Sequence, residues 1–191
     1  MAEVVLQPGR ERSVRRRHPW VLSGAVARVE GDVQAGDEVP VRSAEGELLG
    51  FGHFSPRSTI RVRMLCFGKE PLEAGWLVER VRRAVARRSG DPALADTDAV
   101  RLVNAEGDGL PGLVADRYAD VVVVRLSAAG MVARRSQVAA ALAGASGAAH
   151  GVARDDAVAL RREGLAAEQG VLWGRAPDAP VAVREGDRRY R

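Results

Sequence analysis

The chain has 191 residues, 46% hydrophobic and 28% charged, which excludes a disordered polar tail and allows one large domain or two small ones. Its single cysteine, Cys66, excludes an internal disulfide. Residues 1–10 carry no signal-type apolar stretch and no long uncharged run follows, so a cytoplasmic location without a membrane partner is expected.

Charge is distributed unevenly. Of 29 basic residues 28 are arginine, leaving Lys69 alone, and residues 1–88 carry 16 basic and 11 acidic side chains against 13 and 14 in residues 89–191. Codon bias explains many arginines but not their clustering. The guanidinium is always charged and its planar fork suits phosphate oxygens and base edges, so an anionic partner is expected on the first half.

In chain order, Val4, Val5 and Leu6 predict a short strand, ended by Gln7-Pro8-Gly9. Residues 10–17 form a basic segment long enough for two helical turns, stopped at His18-Pro19 because the residue before proline avoids the helical region. Val39 and Val41 alternate with polar neighbours, and Pro40 predicts an edge strand. Residues 48–54 and 59–67 predict two more strands; in the second, Ile60, Val62, Met64 and Cys66 share one face and Arg61 and Arg63 the other. Several short strands with turn signals in under seventy residues suggest a small barrel.

After Gly68-Lys69-Glu70-Pro71, Leu77, Val81, Ala84 and Val85 recur at helical spacing, with Arg80, Arg82, Arg83, Arg87 and Arg88 on the remaining surface and Glu79 and Arg83 placed as an i,i+4 pair. Strands are expected at residues 100–104 and 113–118. Val121 to Val124, apolar on both faces, reads as a central strand. An Ala-rich helix follows at about 129–143, then short strands near 171–173 and 181–184. The fold class is therefore α+β, in two units joined near residue 70: residues 1–70, a small β-barrel-like domain, and residues 71–191, a mixed α/β domain.

Gly107-Asp108-Gly109-Leu110-Pro111-Gly112 matches G-x-G-x-x-G. A dinucleotide or methyl-donor loop must open a helix whose amides face the ligand, whereas here a strand follows, so the loop reads as a plain connection. Cys66 on an apolar face reads as a small core hydrophobe and not a nucleophile. His18, His53 and His150 lack metal-ligand spacing. Asp155 and Asp156, ahead of Arg161 and Arg162, read as a helix start. No catalytic, cofactor-binding or metal residue is assigned.

The strongest constellation is Arg15-Arg16-Arg17-His18-Pro19-Trp20. Three consecutive arginines fan a wide positive surface, and the adjacent rings offer the stacking planes that single-stranded RNA uses. Trp20 itself reads as a buried anchor. The polar turn at residues 55–58 is a second place suited to phosphate contacts, a plain hairpin loop being as good an account of it. Candidate RNA-binding residues are Arg10, Arg15, Arg16, Arg17, His18, Trp20, Ser55, Arg57, Ser58, Arg61 and Arg63, with the 80–88 helix face second.

The order of these motifs resembles a known family. Pro8-Gly9-Arg10-Glu11, Arg16-Arg17-His18-Pro19-Trp20-Val21 and Ser23-Gly24 look like the opening of PUA-domain class I methyltransferases that make 5-methylcytosine in large-subunit ribosomal RNA. The likeness continues through Leu49-Gly50-Phe51-Gly52, Ser55-Pro56, Ser58 and Ile60-Arg61-Val62-Arg63, then Arg101-Leu102-Val103-Asn104-Ala105-Glu106 with the glycine-rich loop and Leu113, Asp116-Arg117-Tyr118, Arg161, Glu163-Gly164-Leu165 and Val171-Leu172-Trp173-Gly174. It covers nearly the whole chain.

The resemblance implies a PUA domain over residues 1–70 and the family's central α+β domain after it. It also implies that the Rossmann-like domain, which holds S-adenosylmethionine and the catalytic cysteine, is absent from these 191 residues, since such a sheet needs on the order of 100 further residues. The expected function is the RNA-binding N-terminal portion of a SAM-dependent rRNA methyltransferase, inactive alone and without a cofactor of its own. Expected partners are ribosomal RNA and a separately encoded catalytic domain or a homodimer partner; the alternative is a stand-alone, non-catalytic RNA-binding module.

Overall fold

The computed structural model describes residues 2–191. The first unit contains β1 (Glu3–Leu6), the short helix α1 (Arg12–Arg15), β2 (Trp20–Leu22), β3 (Val26–Glu30), β4 (Glu38–Arg42), β5 (Leu48–Phe54) and β6 (Ile60–Phe67). All six strands form one sheet in the order β2-β6-β5-β4-β1-β3. Its two outermost strands, β2 and β3, are joined by only three residues, Ser23–Ala25, so the sheet must curl until its edges meet. Val4, Leu6, Val14, Val21, Val39, Val41, Phe54, Val62 and Met64 fill the curl. Glycine permits the tightest crossing: a Cβ on Gly50 (φ +152°) would run into Met64 and the Cys66 and Phe67 backbone.

Several expectations change. The basic segment makes one turn of helix, not two. β3 carries mostly exposed residues and was not visible as a strand. Strand β4 is internal despite Pro40, because β1 pairs with it only at Val41 and Arg42 and leaves the Pro40 stretch without a neighbour on that side. In β6, Phe51 and Gly52 face Cys66 and Met64, which makes Leu65 an extra residue. This bulge reverses the alternation beyond it. Cys66 therefore leaves the barrel core and sits half-buried near Glu70 and Arg80, where burial pushes its thiol pKa up.

The second unit contains α2 (Trp76–Ser89), β7 (Ala99–Asn104), β8 (Leu113–Tyr118), β9 (Val121–Leu126), α3 (Ala129–Val132), α4 (Arg135–Ser146), β10 (His150–Arg154), α5 (Ala157–Glu163), β11 (Gln169–Trp173), β12 (Val183–Glu185) and β13 (Arg188–Tyr190). The main sheet runs β11-β10-β9-β8-β7, with β9 and β10 parallel and the other neighbours antiparallel; β12 and β13 form a separate hairpin. The valine run is the central strand, as its two-sided apolar pattern predicts. Leu77, Val81, Ala84 and Val85 of α2 join Val138 and Leu142 of α4, Val122 and Val124 of β9, and Leu102 of β7 in one core. The Ala-rich helix is two pieces, α3 and α4, broken at residues 133–134. Asp156 caps α5 through the Val158 and Ala159 N–H groups, as its position before Arg161 predicts. No helix among the described residues is long and apolar enough to cross a membrane.

The two units are tied by specific bonds. The Arg63 guanidinium lies 2.8 Å from the Glu163 carboxylate, with the Glu163 side chain 1% exposed. Arg80 of α2 donates to the carbonyls of Leu65 in β6 (2.8 Å) and Gly109 (2.6 Å). Arg134 donates to the Gly36 carbonyl (2.9 Å) and to Glu38 (2.8 Å). Next to this last pair His53 is 1% exposed, and a Cβ on Gly130 would overlap its ring, so only glycine allows α3 to approach β5 this closely.

Candidate RNA-binding surface

Helix α1 buries only Val14, so the barrel holds it by one side chain and the rest of the segment faces solvent. Arg10, Arg12, Arg15, Arg16, Arg17 and His18 are all exposed. Arg15 pairs with Glu47; among the described residues no ion pair engages Arg10, Arg12, Arg16 or Arg17. The chain leaves α1 through a left-handed residue: Arg17 has φ +61°, its N–H donates to the Val14 carbonyl (2.8 Å), and the His18 N–H donates to Ser13 (2.9 Å). This is the hydrogen-bond pattern that usually ends on glycine. An arginine placed there carries a conformational cost of order 1–2 kcal/mol for an L-residue.

Trp20 opens β2 and is 39% exposed, which corrects its expected burial. Its backbone N–H donates to His18 Nδ1 (3.1 Å), and the two rings meet edge to face with centroids 5.9 Å apart. The indole Nε1–H donates to Glu106 Oε1 at 2.7 Å, across the seam between the units. Arg10, Ser13, His18, Trp20, Leu22 and Thr59 line an open hollow of about 530 Å³. Leu22 is 54% exposed there. The hollow thus has a positive rim, two rings and an apolar wall, chemistry that suits an unpaired nucleotide.

The other predicted residues divide. Arg61 is half-buried on the outer face of β6, the strand that pairs with β2, and Arg57 is exposed with its side chain against Gly164. Ser55, Ser58 and Arg63 are covered: they are 1%, 6% and 9% exposed, and Arg63 donates to Ser55 Oγ (3.4 Å) as well as pairing with Glu163. Arg63 and Ser55 serve the joint between the units and Ser58 accepts from the Ile60 N–H within its own turn (3.2 Å), so the three are not brought together with Arg10 and the Arg15 to Trp20 segment. The helix face at residues 80–88 is largely committed too. Arg80 bridges the units, Arg82 and Arg83 pair with Glu79, and Arg87 and Arg88 pair with Asp108. Burial pushes the Arg80 guanidinium down from its ordinary value.

Two participants lie outside the candidate residues. Arg12 belongs to the same basic segment and joins its exposed arginines. Glu106 comes from the loop after β7, 86 positions from the indole it holds.

The glycine-rich loop does not fit S-adenosylmethionine. Asp108, with its side chain 1% exposed, accepts from the Asn104 N–H (2.7 Å) and from Arg88 (2.7 Å) and Arg87 (2.9 Å). Those cations and that N–H hold its carboxyl below the usual range against the opposing effect of burial. The loop then enters strand β8, so it presents no helix N-terminus to a ligand.

The strands of the curled sheet fall within residues 4–67, or begin one residue before them, and this stretch matches the family model of the PUA-like domain. Across almost the whole chain there are relatives among the large-subunit rRNA methyltransferases. Ribosomal RNA large subunit methyltransferase I of Alteromonas mediterranea is 41% identical over 187 residues, 96% of this chain and 46% of the relative. Its counterpart in Vibrio cholerae is 35% identical over 182 residues, 95% of this chain and 46% of the relative. The chain thus spans about half the length of the curated relatives it matches, their N-terminal half. A solved structure from Streptococcus mutans, assigned as a SAM-dependent methyltransferase, superposes on all of this chain and 48% of its own with TM-score 0.78 at 17% identity. A methyltransferase complexed with SAH does so over 47% of its length with TM-score 0.79 at 18% identity. These two likenesses establish the fold.

Proposed function

We propose that this chain grips ribosomal RNA as the front part of a SAM-dependent cytosine-5 methyltransferase, presenting RNA to a methyl-transferring domain that these 191 residues do not include. The observation that carries the reading is the exposed cluster of Arg10, Arg12, Arg16 and Arg17 beside the rings of His18 and Trp20. The arginines hold phosphates, which sets register along the strand, and the hollow beside Trp20 takes an unpaired base. Arg15, shared with Glu47, contributes less; Arg57 and Arg61 extend the track. Arg63, steadied by Ser55, fixes the second unit against the barrel, and Ser58 holds its own turn by accepting from the Ile60 N–H. The methyl group and the attacking cysteine belong to the remaining half of such an enzyme, supplied in the same polypeptide or by a separate chain.

The test is fluorescence anisotropy with a labelled single-stranded rRNA fragment and a duplex of the same sequence, at several salt concentrations. Binding should favour the single strand and fall as a power of salt, with a slope of about −0.7 per phosphate contacted. The triple change Arg15→Ala, Arg16→Ala, Arg17→Ala should flatten that slope. Absence of binding at low salt, or a slope untouched by the triple change, overturns the proposal.

A further inference from the structure

We infer that Glu106 is a positioning residue for RNA: it fixes the plane of the Trp20 indole so that an unpaired base can stack in the adjoining hollow. The inference rests on the RNA-binding reading above and deepens it, because it makes the gripping surface a product of both units.

Trp20 is exposed enough to turn on its side-chain bonds, and an indole free to do so loses entropy when a base stacks on it. Two contacts restrain it. The His18 ring meets it edge to face, and Glu106 accepts its only side-chain donor at 2.7 Å. A hydrogen bond to an ionised carboxylate is among the stronger ones available at a surface.

Glu106 is itself held by a rigid loop. It lies in the turn Ala105–Asp108, where the Leu110 N–H donates to Ala105 and the Gly109 N–H donates to Glu106. Asp108, two residues on, is anchored by the Asn104 N–H, Arg87 and Arg88, and Arg80 ties Gly109 to the barrel through the Leu65 carbonyl. The carboxylate is therefore delivered by fixed backbone and not by a wandering side chain alone.

The placement carries an electrostatic cost, and this makes the inference testable by sign. A carboxylate beside a surface that attracts phosphate repels RNA, so its removal by itself should tighten binding. If Glu106 serves to position Trp20, its loss should weaken binding instead. Glu106→Gln separates the two, because the amide oxygen still accepts the indole N–H while the charge is gone.

The experiment measures anisotropy with the labelled single-stranded rRNA fragment for the wild-type chain, Glu106→Ala, Glu106→Gln and Trp20→Phe. It adds the three indole N–H resonances in ¹H–¹⁵N spectra without RNA, Trp20 being assigned by its disappearance in Trp20→Phe. Expected are binding about 3- to 10-fold weaker for Glu106→Ala with the salt slope kept, and binding equal to or tighter than wild type for Glu106→Gln. The Trp20 indole proton should exchange faster with water in Glu106→Ala and stay protected in Glu106→Gln. In the Trp20→Phe background, which lacks the donor, Glu106→Ala should no longer weaken binding. Tighter or unchanged binding by Glu106→Ala, or an unmoved Trp20 indole resonance, overturns the inference while the RNA-binding reading stands. Failure of the wild-type chain to bind at low salt overturns both.

Discussion

Arg17 offers the sharpest separation of folding from function. At φ +61° it occupies the left-handed position that ends α1, closed by the Val14 and Ser13 carbonyls. Relief of that conformation by Arg17→Gly is worth about 1–2 kcal/mol, offset by roughly 0.5–1 kcal/mol of extra chain entropy that glycine loses on folding. The net expectation is a gain of up to about 1.5 kcal/mol, at about 2–4 °C in Tm per kcal/mol for a chain of this size. Arg17→Ala keeps the strain and should give no such rise. Both variants remove an exposed cation, so both should lower RNA affinity and reduce the magnitude of the salt slope by about 0.7. Thermal melts and anisotropy titrations at four salt concentrations on the three proteins provide the check. Were Arg17→Gly to melt higher and bind RNA with an unaltered slope, the residue would be an idle strained turn and the argument for its role would fail. Strain without a compensating contact would then have no account here.

The remaining predictions concern the joint. Arg63→Met should cost roughly 3–5 kcal/mol by leaving the Glu163 carboxylate buried without its cation, and adding Glu163→Leu should recover much of it; urea midpoints for the two proteins test this. Gly130→Ala should cost about 1–3 kcal/mol because the new methyl overlaps His53, and His53→Ala in the same chain should restore the midpoint. Burial pushes the His53 pKa below its ordinary 6.5, against the raising effect of Glu38. The unfolded chain then takes up the proton first, so stability is full above about pH 6.5 and declines as pH falls toward the lowered folded value. Denaturant midpoints between pH 7.5 and 5 should show the decline in the wild type and a flatter line in His53→Gln. Glu38, whose carboxyl is held below its ordinary 4.5 by the neighbouring His53 ring (3.9 Å) and by Arg134, loses its contribution in a separate, more acidic window.

Much of the fold was legible because period and composition act locally. Alternation at residues 59–64 gave the face of β6, and the unbroken Val121 to Val124 gave the centre of the second sheet. The exceptions have local causes of a kind that periodicity averages over. One extra residue, Leu65, turns Cys66 out of the core. β3 pairs with β1 through backbone bonds while its side chains face water, so it carries no apolar signature. At the candidate site the limit differs. Arg61 and Arg63 sit on the same outer face, and nothing within the strand distinguishes them. What separates them is Glu163, which arrives from the end of α5 and covers only Arg63. Alternation reports which way a side chain points and is silent about what comes to meet it.

The same limit explains the glycine-rich loop. As a cofactor cradle it fails on the strand that follows it, a judgement available from order alone. Its positive use is not available that way. Gly109 has a left-handed backbone and its carbonyl accepts from Arg80, which also reaches Leu65 in the barrel; Asp108 draws in Arg87 and Arg88 from α2. Those three arginines read in sequence as free positive charge, yet the loop consumes them. The cluster of charge unpaired among the described residues is therefore the one around α1, at Arg10, Arg12, Arg16 and Arg17, and the loop that neutralises the helix face also sends Glu106 across to Trp20. A residue count assigns the excess charge to the first half of the chain; the pairing of that charge decides which part of it can still meet a phosphate.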